Sequence, residues 1–233
     1  MPDFPLDATF ADALTLAAAW HTGQYRKVPP GQTPSLPYVS HLLGVASIAL
    51  EYGADQPEAI AALLRVALED GPAHTGRTPE DLRAEIARRF GEPVAALVHG
   101  GHDDTPPPGQ PKRPWADRKT EYLRHLTGQP APALLVSASD KLHNARTILA
   151  DISALPADQR DSYFGRFREG RDGTLQYYRL LSDQYLAAPA THTRPRLHDL
   201  ARELDRTVTA LEHAAGLTSD QTRQLPLLRP ATP

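Results

Sequence analysis

The sequence predicts an all-α protein. Apolar residues recur at helical spacing along most of the chain, and several segments open on residues that cap helices. β-Branched residues are sparse and do not alternate with polar ones, so strand signals are weak. The 233 residues suit one helical domain of ordinary size with an appended tail, which is long enough to bury a core.

Three helices are expected in the first third of the chain. The first covers residues 8 to 22, an Ala- and Leu-rich stretch with one apolar face, and a basic, proline-rich loop follows. The second begins near Tyr38 and ends at Gly53. The third is expected from about Pro57 to Glu69, with Asp55 near its N-cap.

The middle of the chain predicts two more helices and a loop. Thr78 is a capping residue followed by proline and two acids, which suits a helix start, and this helix should end at Phe90. A short helix over residues 92 to 99 comes next. The segment from 100 to 114 is rich in glycine and proline and is expected to form a loop.

The last part of the chain is again predicted to be helical. Helices are expected over Trp115 to Leu126, over Ala131 to Ile152, and as two helices or one broken helix between 157 and 187. The final helix should cover residues 196 to 214. We therefore expect a main domain over residues 1–187, and a linker, a C-terminal helix and a frayed tail over 188–233, packed on that domain or serving a homo-oligomer contact.

Composition and charge exclude several classes of protein. Cysteine is absent, which excludes disulfides and cysteine-ligated zinc and suits a cytoplasmic location. We see no signal peptide and no run of about 20 apolar residues, so neither secretion nor a membrane partner is expected. The formal net charge of −3 argues against general nucleic-acid binding.

Three short segments carry the residues on which a functional prediction depends. His41 lies in PYVSHLLGVA, Glu69 and Asp70 lie in AALLRVALEDGPAHTG, and Asp140 lies in LLVSASDKLHNAR. In this order, over residues 8 to 185, the chain resembles the HD-domain metal-dependent phosphohydrolases, and most closely the stand-alone RelA/SpoT-like alarmone hydrolases. The resemblance implies an all-α HD-domain bundle of about eight to ten helices.

The resemblance also implies roles for these residues. His41 and Asp140 match the first and last metal ligands of the family, and Glu69 and Asp70 match an acidic pair that orients or activates the attacking water. The implied cofactor is Mn²⁺ or another divalent ion, which lowers the pKa of bound water and neutralises charge on the phosphoryl oxygens. The implied reaction removes pyrophosphate from the 3′ position of a guanosine polyphosphate.

The chain departs from the family at the middle of this site. The family has a His-Asp pair after AALL, and here Arg65 and Val66 stand in its place. Arginine is a permanent cation without a lone pair for a metal, and valine offers no ligand. We therefore predict a degenerate metal site, and our hypothesis is that the Arg65 guanidinium replaces the metal and binds Asp140 or Glu69. The alternative is an ordinary ion pair on the helix surface between Arg65 and Glu69.

Relocated metal ligands are a second interpretation. His102 and Asp103 follow two glycines, near the place where the alarmone hydrolases have a Thr-Asp-Asp motif. They do not follow AALL and so are not the family's signature pair. They either supply replacement ligands or belong to a loop or helix cap.

A further set of residues is predicted to bind the phosphates of a small nucleotide polyphosphate. Within the matching motifs, Arg26 and Lys27 resemble the basic pair that cradles the nucleotide in alarmone hydrolases, and Asn144 shares a helix face with Asp140. The alternative is that the basic residues of this set only keep the surface soluble, since lysine and arginine are common on protein surfaces. The full predicted set is Arg26, Lys27, Tyr38, Lys141, Asn144 and Arg146.

Two functions from different classes follow from these observations. The first is a phosphohydrolase-like enzyme related to guanosine-3′,5′-bis(diphosphate) 3′-pyrophosphohydrolases, with impaired or lost metal-dependent activity. The second is a pseudoenzyme that binds a nucleotide or a protein partner without cleaving anything. If metal binding is lost, we expect the protein to use no cofactor.

Overall fold

The protein is described by a computed structural model that covers residues 6–28, 33–100 and 113–228. These residues confirm the all-α prediction, since their only strand-like pairing is a single bridge between Tyr25 and Pro37. They form twelve α-helices, against the eight to ten expected, because several helices have only one to three turns. The helices are α1 Ala8–Trp20, α2 Val39–Glu51, α3 Gln56–Leu64, α4 Ala67–Thr75, α5 Pro79–Phe90, α6 Glu92–His99, α7 Trp115–Leu126, α8 Ala131–Ser153, α9 Arg160–Tyr163, α10 Gly170–Ala187, α11 Pro195–Ala214 and α12 Ser219–Arg223.

Local sequence sets the helix starts as predicted. The Asp55 side chain accepts a hydrogen bond from the backbone N–H of Glu58, and the Glu58 carboxylate accepts one from the backbone N–H of Asp55, so both residues form a capping box. Thr78 and Asp81 repeat this arrangement at the start of α5. These reciprocal bonds satisfy N–H groups that a helix start would otherwise leave unpaired.

The expected third helix is wrong in one respect that matters for the site. It breaks at Arg65 and Val66, so α3 ends at Leu64 and a separate helix, α4, begins at Ala67. Val66 leaves helical geometry with φ −104° and ψ 6°. Glu69 and Asp70 therefore lie in the first turn of α4, where the positive end of the helix dipole favours carboxylates, rather than at a helix end.

Helix α8 is the central element of the bundle, and α2, α3 and α11 pack against it. The contact with α2 is close because Gly44 has no side chain. A Cβ atom built there would lie 2.1 Å from Cδ2 of His143 on α8. This close approach brings the face of α2 that carries His41 against the face of α8 that carries Asp140.

Helices α10 and α11 close the other side of the bundle through a buried ion pair. Nε and Nη2 of Arg179 each donate to a different carboxylate oxygen of Glu212, both at 2.9 Å. Arg179 is 1% exposed and Glu212 is 0% exposed. The leucines of α11 are buried against α8 and α10, so this helix belongs to the same core as the rest.

The chain remains packed beyond α11. The short helix α12, which was not predicted, lies on α10. The Gln176 side chain then accepts a hydrogen bond from the backbone N–H of Leu228 and donates one to its carbonyl. The described part of the expected frayed tail is thus held down through Leu228. In the described residues, no helix is long and apolar enough to cross a membrane.

Candidate functional site

The predicted site residues converge on Asp140, which is buried in the middle of α8. Nε2 of His41 lies 3.1 Å from Oδ1 of Asp140, and Asn144 donates to the same oxygen from one turn further along α8. The ammonium of Lys141 lies 2.7 Å from Oδ2. Both carboxylate oxygens of Asp140 are therefore engaged by side chains of the protein itself.

Arg65 reaches this carboxylate from the break between α3 and α4. Its Nη2 lies 4.0 Å from Oδ2 of Asp140, which is an ion pair but too long for a hydrogen bond. Arg65 is 5% exposed. Of the two partners that the sequence allowed, Asp140 is thus the one that the structure pairs with Arg65, and the break in the helix removes the simple one-turn relation with Glu69.

Electrostatics keep these groups charged. Burial raises the pKa of the Asp140 carboxyl, but Lys141, the hydrogen bond from His41 and Arg65 together hold it well below its usual range. Burial lowers the pKa of the Lys141 ammonium, but Asp140, Tyr177 and Tyr122 together raise it by more, so the net shift is upward. The pKa of Arg65 also rises, since the combined attraction of Asp140, Tyr122, Glu69 and Tyr185 outweighs the effect of burial.

A second histidine, which sequence reasoning missed, completes this cluster. Nδ1 of His143 lies 2.9 Å from Nδ1 of His41, so one ring donates to the other. Burial, His41 and Arg26 lower the pKa of His143 to about 4, which leaves the ring neutral at pH 7. Its position three residues after Asp140 on a helix was the available signal, since that spacing places two residues on one face.

The acidic pair lies on the wall of a cleft beside this cluster. Glu69 lines two adjoining hollows of about 330 and 410 Å³, and Asp70 lines the second. Gln24 donates to Asp70 at 2.8 Å and lies 2.5 Å from His21, a chain of contacts that fixes the carboxylate. Gln24 was also missed, although it belongs to the HTGQYRK segment from which Arg26 and Lys27 were selected.

The predicted phosphate-binding residues mostly gather in the same cleft. Lys27, Tyr38, Lys141 and Asn144 line the smaller hollow, and Arg26 lines the larger one. Both Nη atoms of Arg26 donate to the side-chain oxygen of Asn144 at 3.2 Å. Asn144 therefore links Arg26 to Asp140 across the floor of the cleft. Lys119 and Tyr122 of α7 also line it and were not predicted.

Among the other predicted residues, Arg146 does not line the cleft, and two more are not described by the structure. Arg146 is 43% exposed at its side chain and pairs with Glu203 of α11 at 3.3 Å, and it is not among the residues that line the cleft. Its role in phosphate binding stays a prediction. His102 and Asp103 lie outside the described residues, so the proposal of relocated ligands stays a prediction as well.

A comparison of the sequence with known protein families shows to which family this arrangement belongs. The model of the HD domain family matches residues 13–163, which include His41, Arg65, Glu69, Asp70 and Asp140. The chain belongs to the HD domain family. The match therefore covers most of the cleft lining, whereas Arg166, Phe167, Tyr177 and Tyr178 of that lining lie beyond it.

Curated relatives place the chain near alarmone enzymes within the HD domain family. It is 33% identical over 137 residues to a GTP pyrophosphokinase of Streptomyces coelicolor. It is 37% identical over 115 residues to a guanosine-3′,5′-bis(diphosphate) 3′-pyrophosphohydrolase of Aquifex aeolicus. These matches cover 58% and 48% of the chain, but only 14% of each relative. The chain therefore spans a small part of the length of both.

Two solved structures share the fold over more of the chain. One neighbour is described as a metazoan ortholog of SpoT that hydrolyses ppGpp, with 25% identity and a TM-score of 0.59. This likeness covers 86% of the chain and 96% of the neighbour. A protein of Listeria monocytogenes shares the fold at 23% identity and a TM-score of 0.54, covering 72% of the chain and 98% of that structure. The predicted relation to ppGpp hydrolases is confirmed.

Proposed function

We propose that this HD domain binds a guanosine polyphosphate, or a related nucleotide polyphosphate, without a metal ion and without hydrolysing it. The observation that carries the proposal is the buried guanidinium of Arg65 beside Asp140, at the position where the family resemblance implies a histidine ligand. Val66 stands where the resemblance implies a carboxylate ligand.

The donor set around Asp140 does not fit a divalent ion. In the parts of the chain that the structure describes, no group of three His, Cys, Asp or Glu side chains is arranged to hold a metal. His41 and Asp140 remain, but the charged groups of Arg65 and Lys141 lie 4.0 and 2.7 Å from Oδ2 of Asp140. A divalent ion there would meet two positive charges and too few ligands, which supports binding without metal.

The same charges suit a polyphosphate. Lys27, Lys119 and Lys141 contribute ammonium groups to the walls of the smaller hollow, and Arg26 contributes a guanidinium to the adjoining one. Hydrogen bonds between such cations and phosphate oxygens are charge-assisted and therefore strong. Without a metal-activated water, the attack on phosphorus lacks its usual nucleophile at pH 7. Binding without turnover is the expected result.

A metal-dependent phosphohydrolase is the second candidate. The retention of Glu69 and Asp70 on the cleft wall favours it, because the family resemblance assigns to this pair the handling of the attacking water. The name of the Aquifex aeolicus relative and the description of the metazoan neighbour also favour it. The two candidates differ in one observable, which is the release of pyrophosphate.

The first prediction compares binding with hydrolysis. Calorimetric titration of the purified protein with guanosine-3′,5′-bis(diphosphate) in the presence of a chelator should give saturable binding. Incubation with the same nucleotide and Mn²⁺ should release no pyrophosphate. Metal-dependent release would contradict the proposal and establish the hydrolase, whereas the absence of nucleotide binding in either condition would contradict both candidates.

Matched variants locate the binding. Lys27→Ala and Asn144→Ala should each weaken nucleotide affinity about 10- to 100-fold, the range expected for losing a hydrogen bond to a charged group. Arg83→Ala is the control, because its guanidinium pairs with Glu92 and it is not among the residues that line the cleft. Equal losses in all three variants would point to general electrostatic attraction and not to this cleft.

A further inference from the structure

Arg65 borders a second hollow in addition to the cleft. This back cavity has a volume of about 170 Å³ and is lined by Arg65, by Leu97 of α6 and the following Gly100, and by residues of α7, of α8 and of the turn between them. Its polar wall consists of Arg65, Glu121, Tyr122, His125, Gln129 and Ser137. Glu69, Asp70 and Asp140 belong to the cleft lining and are not part of this wall. Arg65 and Tyr122 are the residues common to the back cavity and the smaller hollow of the cleft.

The guanidinium of Arg65 is short of hydrogen-bond acceptors. Its Nε and Nη1 are buried and make no hydrogen bond to any residue that the structure describes. Its Nη2 forms the 4.0 Å ion pair with Asp140, which is too long for a hydrogen bond. An arginine offers five N–H donors, and leaving charged donors buried without acceptors costs several kcal/mol per group at the upper end. Although Asp140 balances the charge, the unbonded N–H groups of Arg65 at the wall of a cavity indicate room for a further acceptor.

The other groups in the wall suit an anion rather than a cation. The Ser137 hydroxyl lies 2.6 Å from the hydroxyls of both Tyr122 and Tyr185, so this chain of three hydroxyls keeps one O–H beyond its two hydrogen bonds, and Gln129 carries further N–H donors. Glu121 is the one acid among the lining residues, and Arg113, Arg124 and His125 contact its carboxylate at 3.3, 3.0 and 3.7 Å. The negative charge of Glu121 is thus compensated by neighbouring basic side chains.

We propose that the back cavity is a binding site for one phosphate-sized oxyanion, held by the Arg65 guanidinium and by the hydroxyl and amide donors of α7, α8 and their connection. The volume of about 170 Å³ exceeds the roughly 10–15 Å³ of such volume that one water requires, so the cavity has room for such an anion. The proposal does not rest on nucleotide binding in the cleft, because free phosphate can occupy the site by itself.

The anion has two sources, free inorganic phosphate and a phosphoryl group of a molecule seated in the cleft. Titration with inorganic phosphate at constant ionic strength, with chloride as the balancing salt, tests the first directly. The wild-type protein should show saturable binding, and Arg65→Met should bind about 10- to 100-fold more weakly. Arg83→Met removes one positive charge at a residue that pairs with Glu92 and lines neither the cleft nor the back cavity, so it should retain the phosphate site.

Two pairs of variants separate the back cavity from the cleft. Ala133→Phe fills the cavity and should abolish phosphate binding, whereas Ala133→Ser keeps its volume and should bind as the wild type does. Gln129→Glu places a negative charge in the wall and should weaken binding about tenfold more than the neutral Gln129→Met. Gln129 is only partly buried, so this pair tests the site even if Ala133→Phe does not fold.

The outcomes are distinct. Phosphate binding that is lost in Ala133→Phe while nucleotide affinity is unchanged supports a separate site for free phosphate. A simultaneous loss of nucleotide affinity indicates that a phosphoryl group of the cleft ligand is the anion. The proposal is overturned if the wild type shows no saturable phosphate binding, or if Ala133→Phe and Gln129→Glu bind phosphate as tightly as the wild type.

Discussion

We expect the side chain at position 65 to decide whether the cleft favours a metal ion or an anion. A histidine there would add a ligand beside His41 and Asp140, whereas the guanidinium adds a permanent positive charge. The charge lies 4.0 Å from a carboxylate that Lys141 already neutralises at 2.7 Å. One carboxylate facing two cations favours a further anion at the site and disfavours a metal ion.

Restoring the family pair is the sharpest test at this scale. The double substitution Arg65→His with Val66→Asp should raise Mn²⁺ affinity by orders of magnitude, because it removes one repelling charge and adds two ligands. Calorimetric titration with Mn²⁺ measures this directly. Arg65→Met is the control, since it removes the charge without supplying a ligand and should give a much smaller gain. Unchanged metal affinity in the double variant would count against the assignment of His41 and Asp140 as residual ligands.

At the scale of the element, the site depends on one helix crossing and one helix break. Gly44 lets α2 approach α8 until His41 contacts both Asp140 and His143. The break after Leu64 turns Arg65 towards Asp140 and starts α4, which carries Glu69 and Asp70 to the cleft wall. Neither the helix crossing nor the helix break takes part in any chemical step, but each fixes the positions of the charged side chains.

Gly44→Ala should therefore loosen the site. Alanine is a better helix former than glycine by about 0.5–1 kcal/mol, but overpacking costs about 1–3 kcal/mol. The clash is with the His143 ring, which must rotate away from His41 to make room. We expect a net loss of about 1 kcal/mol in the free energy of unfolding by urea, together with weaker nucleotide binding. Ser47→Ala on the exposed face of α2 should change neither quantity, and a Gly44→Ala variant that gains stability would refute the close-packing argument.

Contacts between the last third of the chain and other helices hold the whole molecule together. Arg194, at the start of α11, pairs with Glu58 of the α3 capping box and also donates to the carbonyl of Gly53. Arg179 of α10 makes its bidentate pair with Glu212 near the end of α11. Residues after 187 are thus tied to the first helices at one point and to α10 at another, which supports a single cooperative unit.

Breaking the buried pair should destabilise the entire fold. Arg179→Met leaves the carboxylate of Glu212 without its charged partner in the core, and such losses typically cost about 3–5 kcal/mol. The double variant Arg179→Met with Glu212→Leu should recover part of this, because it removes the fully buried carboxylate, whereas Asp205, the other carboxylate bonded to Arg179, is 36% exposed at its side chain and can be solvated. Urea unfolding followed by circular dichroism measures both. Arg206→Gln, which breaks an exposed pair with Glu203, serves as the control and should cost less than about 1 kcal/mol. Equal stability of the single and double variants would contradict this account.

Local sequence was sufficient for much of this description. Helical spacing and the absence of alternating strands predicted the all-α class, and Asp55 and Thr78 cap their helices as expected because a cap depends on residues only three positions apart. The order of His41, Glu69, Asp70 and Asp140 predicted the family, which the HD domain match confirms. Arg65 and Val66, at the place where the resemblance implies a His-Asp pair, were also visible in the sequence alone.

The tertiary structure determined which side chains pair with one another. Arg65 could pair with Glu69 or Asp140 on sequence grounds, and the helix break together with the α2–α8 crossing selects Asp140. His143 and Gln24 join the site, and Arg146 pairs with Glu203, because distant helices bring these side chains together or apart. The sequence determined the helices and the charges of this HD domain, since both are local properties. Which charges face one another, and the cavity behind Arg65, depend on packing between residues far apart in the chain, and so only the folded molecule reveals them.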